Sequence, residues 1–184
     1  MHKLLAMMRE LLIAASLAAC MIGVAGTAQA TDQNINISAT VASFCKIQSS
    51  LIPADDTLDW TSLITTGFIT GTATTKTYAV VCNKDTTVTL IAVNGGLITS
   101  SAAAAGFDNI INYTASASTF VTIAAGSTAT VATASAGANE TLGSANRGTP
   151  GAANISVTIT PIVNSNPLVA GTYNDTLTLR IVPN

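Results

Sequence analysis

Few side chains in this chain are equipped for chemistry. Its one histidine, His2, lies in a stretch that reads as a cleaved leader, so beyond residue 30 neither Ser-His-Asp nor Cys-His catalysis nor His-ligated zinc is available. Cys45 and Cys82 remain there, and an even cysteine count in an exported chain reads as one disulfide. Such a bridge stabilises by roughly 4 kcal/mol on the chain-entropy model, less any strain. Asp55, Asp56 and Asp59 form the acidic cluster, but their spacing is not that of a calcium loop and no glycine sits at its centre, so they read as a solvated loop. Glu140 stands without a second carboxylate that would make a glycosidase pair. The glycines at 67–71 and 148–151 are not followed by Lys-Thr, which excludes a phosphate loop. The expectation is no catalytic residue, no metal, no cofactor, and therefore no enzyme.

The leader accounts for much of the hydrophobicity. Lys3 and Arg9 precede an apolar run, Leu11 to Val24, and Ala28-Gln29-Ala30 then presents small residues for cleavage before Thr31. This is the layout of a secretory signal peptide, with too short an apolar run for a membrane span. Leu17-Ala18-Ala19-Cys20 has the form of a lipoprotein box, but Met21 to Val24 continues the apolar run where a polar linker would follow a lipidated cysteine. The whole chain has 184 residues, 9 % of them charged, and a formal net charge of −2, which gives nucleic acid no basic field to hold it.

The elements that must position these groups are strands. Apolar residues alternate with Thr, Ser and Asn over 35–41, 78–82, 87–93, 155–159 and 175–182, while 110–114, 119–124 and 129–132 are shorter candidates. Asn83-Lys84-Asp85 and Asn94-Gly95-Gly96 read as turns. No helical period appears after the leader; Ala-rich 100–106 offers at most one turn. Gly, Pro and Asn between some seven short strands predict an all-β, immunoglobulin-like sandwich. Trp60, Val80, Val88, Leu90, Tyr113, Val157, Ile159, Leu177 and Leu179 are its expected inward residues. Three segments are expected: a signal peptide (1–30), an N-terminal strand segment (31–43) and the sandwich domain (44–184).

The two ends do not match. The chain stops just after the alternating strand that ends Leu179-Arg180-Ile181-Val182-Pro183-Asn184, where an immunoglobulin-like sandwich needs one strand more. A missing last strand leaves a sheet edge open to pairing. At the head, Ile35, Ile37, Ala39 and Val41 form an alternating strand that looks spare. It serves either as the first strand of its own sheet or as the replacement strand of a neighbouring copy. Two Ile and one Val buried at about 1.5–3 kcal/mol each, with a smaller Ala contribution, would supply on the order of 5–10 kcal/mol. Because donor and acceptor are different surfaces, such a contact propagates as an open fibre.

These residues resemble the spore coat protein U domain family, which includes subunits of archaic chaperone–usher pili. The resemblance rests on the alternating segment before Cys45, on Leu58-Asp59-Trp60, on the strand ending in Cys82 and on the Asn94-Gly95-Gly96 turn. It continues through the short strand carrying Tyr113 and closes on Gly171-Thr172-Tyr173-Asn174-Asp175-Thr176-Leu177-Thr178-Leu179. Residues 116–148 depart from it, being richer in Ala and Thr. The resemblance implies a sandwich lacking its last strand, held by a periplasmic chaperone and polymerised at an outer-membrane usher into a surface pilus for adhesion and biofilm. Carried over, the donor residues are Ile35, Ile37, Ala39 and Val41, and the groove is lined by Leu177, Leu179 and Ile181. Tyr173 pins the corner before the last strand through its hydroxyl, and Asp175 assists the turn. The alternatives are a monomeric secreted binding module, which would stay soluble and unladdered on unheated gels, and a coat protein that assembles without an usher.

Overall fold

A computed structural model describes residues 32–51, 53–130 and 134–184, and the expected signal peptide at 1–30 lies outside them. No helix among the described residues is long and apolar enough to cross a membrane.

Among the described residues twelve strands form in chain order: β1 (Cys45–Ile47), β2 (Ile64–Thr65), β3 (Phe68–Ile69), β4 (Thr74–Cys82), β5 (Thr86–Ala92), β6 (Leu97–Ile98), β7 (Ile110–Ile111), β8 (Tyr113–Thr119), β9 (Ile123–Ser127), β10 (Glu140–Arg147), β11 (Gly151–Pro161) and β12 (Leu177–Pro183). An antiparallel sheet runs β1-β4-β11-β8-β9, and a second runs β10-β5-β12. β2–β3 and β6–β7 are separate two-stranded ribbons. β2 turns into β3 through Thr66 and Gly67, both at positive φ (50° and 83°), as a tight hairpin twisting with its strands requires.

The period-two pattern becomes a sandwich because each sheet turns one row of apolar side chains inward. Val80, Cys82, Ile155, Val157, Tyr113, Ala115 and Ala117 from the first sheet join Val88, Leu90, Ala92 and Leu142 from the second in one buried cluster. Trp60, just before a 3-10 turn at Thr61–Leu63, closes that core edge-on to Tyr113, with ring centroids 6.0 Å apart. Cys45 and Cys82 are joined in a disulfide, which ties β1 to β4.

Several expectations from alternation alone differ from the structure. Residues 32–43 form no strand, and Ile35, Ile37 and Val41 are 80, 91 and 79 % exposed. Alternation makes a strand only where another strand supplies the hydrogen-bond ladder. At 119–124 the chain turns instead, at Thr119 (φ 76°), and Phe120 and Val121 are buried in the turn before β9 begins. Thr128–Thr130 is a 3-10 turn, and 131–132 lie outside the described residues. No helix forms at 100–106.

β10 lacks the alternating pattern that marks the other long strands and closes the Ala/Thr-rich stretch at its C-terminal end. Small residues make it possible. A Cβ on Gly126 of β9 would stand 1.7 Å from the Leu142 carbonyl oxygen, so β9 and β10 approach at a distance only glycine permits. Arg147 closes that corner: Nη1 donates to the Phe120 carbonyl at 2.7 Å, with the guanidinium 4.6 Å from the centre of the Phe120 ring.

The groove beside the last strand

Leu177, Leu179 and Ile181 come together on β12, which is the edge of its sheet among the described residues. Their side chains turn inward and lie half-buried against the core. The backbone direction follows from two bonds at the ends of the ladder. Val93 N donates to the Thr176 carbonyl at 2.9 Å, and Asn184 N donates to the Asp85 carbonyl at 2.9 Å. Even-numbered positions therefore face β5, and the backbone amides and carbonyls of Leu177, Leu179 and Ile181 face the open edge. Pro183, which lacks an N–H, ends that edge.

Beside this edge lies a groove of about 310 Å³. Leu177 and Leu179 form one wall, Val157 and Ile159 of β11 with Tyr78 of β4 line its floor, and the segment Asp55–Leu58 forms the other wall. Trp60 also lines the groove; its Nε1 is buried without a hydrogen-bond partner among the described residues. Asp56 holds the outer wall. Its Oδ1 takes Lys76 Nζ at 3.2 Å and its Oδ2 takes the Tyr78 hydroxyl at 3.2 Å. The Lys76 hydrogen bond, followed by the Thr57 N–H and the Tyr78 hydroxyl, lowers the pKa of Asp56, while burial and then the Asp56 charge raise that of Tyr78.

Asp175 anchors the start of β12. Its Oδ1 accepts from Asn94 N at 2.8 Å and from Thr176 N at 2.7 Å; its Oδ2 accepts from Gly96 N at 3.2 Å and the Tyr113 hydroxyl at 2.8 Å. One carboxylate thus joins the Asn94-Gly95-Gly96 turn, β8 and β12. Tyr173 donates its hydroxyl to the Val169 carbonyl at 2.9 Å and lies 3.3 Å from that of Asp108, which fastens the chain entering β12. Burial raises the pKa of Tyr173, with the Asp108 charge adding to it.

Sequence reasoning placed Leu177, Leu179, Trp60, Tyr113, Val157 and Ile159 inside. It missed Lys76 and Tyr78, although both continue the odd–even alternation that leads to Val80 and Cys82. Asp56 does lie on an exposed loop, as expected, and there it also takes Lys76 and Tyr78. Asp59 accepts from Thr61 N at 2.8 Å and from the Thr61 hydroxyl at 2.6 Å, which sets up the turn after Trp60.

The groove offers apolar depth beside a row of unpaired backbone donors and acceptors, which is what an added β-strand requires. Comparison with protein-family models, with curated proteins and with solved structures finds no match.

Proposed function

We propose that this chain is a fibre-forming subunit that completes its neighbour by donating a strand. The observation that carries the reading is β12: an edge strand whose unpaired amides and carbonyls border a groove lined by Leu177 and Leu179. An edge of this kind invites pairing unless something covers it. The donor is 31–43; Ile35, Ile37 and Val41 are exposed in alternation with polar residues, and no strand forms at 32–43. Leaving three β-branched side chains in water forgoes about 1.5–3 kcal/mol each, which a groove in another copy would recover.

The resemblance to spore coat U and archaic pilus subunits supplies the setting. A periplasmic chaperone covers the groove after export, an outer-membrane usher exchanges the chaperone for the next subunit's donor strand, and the polymer stands on the cell surface. The experiment is export of the full chain with and without a cognate chaperone, followed by gels of unheated and boiled samples. Multimers that collapse on boiling support the reading. Deletion of 31–40 should remove them and leave chaperone capture intact; ladders that persist in the deletion contradict the donor assignment.

A further inference from the structure

A second depression, of about 340 Å³, opens between the loop 107–112 and the loop 162–165, in the volume range of small-molecule sites. Both walls are fixed by hydrogen bonds. Ile162 N donates to the Asn112 carbonyl at 2.8 Å, and Val169 N donates to that of Asp108 at 2.9 Å. Both Asp108 carboxylate oxygens are taken by Asn166, from its backbone N–H and its side-chain amide, each at 3.1 Å. Asn164 accepts from Ile69 N at 2.8 Å. A site held this way needs little ordering on binding.

The residues that line it carry free groups of two kinds. The Asn109 side-chain amide, Nδ2 of Asn112 and the Ser165 hydroxyl make no hydrogen bond among the described residues. Phe107 and Val163, 47 and 60 % exposed, supply an apolar surface beside them. Neither Lys nor Arg lines the depression, so an anionic ligand meets no countercharge. Each oxygen of the one carboxylate, Asp108, already takes a bond from Asn166, and no cluster able to hold a metal exists among the described residues. An apolar ligand would strand the free amides without water.

We infer that this depression binds a neutral saccharide, one pyranose face lying on the Phe107 ring and its hydroxyls exchanging hydrogen bonds with Asn109, Asn112 and Ser165. An exposed aromatic ring beside amide-bearing residues suits a ligand that is apolar on its faces and hydroxylated at its rim. The site involves neither 31–43 nor the β12 edge, so it stands or falls apart from polymerisation.

The test is ligand-observed NMR on the exported full chain with glucose, galactose, mannose, N-acetylglucosamine and their β-linked disaccharides, with sialic acid as the anionic control. At least one neutral sugar should bind saturably with a Kd in the millimolar range or tighter. Phe107→Ala and Asn109→Ala should each weaken it by roughly tenfold or more. Both side chains lie away from the core, so unchanged melting curves certify the fold of each variant. Absence of saturable binding by every neutral sugar at about 10 mM overturns the inference. So does tighter binding of sialic acid, or binding that both variants leave untouched.

Discussion

The Tyr113 hydroxyl donates to Asp175 at 2.8 Å, and this bond joins the buried face of β8 to the start of the open-edged strand β12. Tyr113 is 2 % exposed and Asp175 collects three backbone N–H groups besides, so the pair fixes where β12 begins and hence where the groove opens. Asp175→Ala strands four donors at once. It should cost about 2–4 kcal/mol, at the cost of about 1–3 kcal/mol for each buried group left unpaired and with water recovering some of them. Urea denaturation measures it, and a loss below about 0.5 kcal/mol would deny Asp175 this role.

The same pair sets the alkaline limit. Burial first, then the Asp175 charge, raises the pKa of Tyr113 well above that of a free phenol. A folded-state pKa above the unfolded value means that the stability is fully present below about pH 10 and is lost as pH rises beyond it, because the unfolded chain releases the proton first. Tyr78 and Tyr173 are shifted the same way and add to the slope. Melting temperature should therefore fall between about pH 9.5 and 11, and Tyr113→Phe should flatten part of that fall. A pH-independent melt across the interval would contradict the burial argument.

The Cys45–Cys82 bridge is the covalent link between β1 and β4. Reduction or Cys45→Ser should lower stability by about 2–5 kcal/mol. Thermal melts with and without dithiothreitol read it directly; coincident curves would mean that the bridge contributes nothing.

Gly126→Ala tests the packing of β9 on β10. With a Cβ meeting the Leu142 carbonyl oxygen at 1.7 Å, one backbone must move, at a cost of about 1–3 kcal/mol or more. Gly148→Ala is the control, since nothing lies within 4 Å of a Cβ there. Equal melts for the two variants would show that the close crossing is not obligatory.

That crossing also marks where sequence reading stops. β4, β5, β11 and β12 were legible because apolar side chains alternate with Thr, Ser and other polar residues along them, a pattern that one-sided burial imposes. In 116–148 the strands are rich in Ala, Gly and Ser and carry few large apolar side chains, Ile123 and Leu142 among them, so little contrast is there to read. What specifies β9 against β10 there is a volume limit at Gly126, visible only once Leu142 is beside it. The outer wall of the groove was illegible for another reason: Asp56 finds Lys76 and Tyr78 twenty and twenty-two residues away. Alternation at 35–41 announces a face to be covered, and it does not say by which molecule.

Exposure at the head separates assembly from folding. Ile37 is 91 % exposed, so Ile37→Asp should leave the melting of the single subunit within about 0.5 kcal/mol of the parent while removing boil-sensitive multimers, since a charge would have to enter the groove. Multimers formed at parental yield would exclude Ile37 from the donor strand.

The central claim is tested most directly by a photo-cross-linking residue placed at Ile37, in exported polymer made from mixed heavy- and light-isotope subunits. Mass spectrometry then identifies both the partner peptide and the chain it came from. Strand donation predicts mixed-isotope links from position 37 to the peptide carrying Leu177, Leu179 and Ile181 of another copy. Links confined to single-isotope pairs, or mixed links that avoid β12 and the Asp55–Trp60 wall, would contradict it.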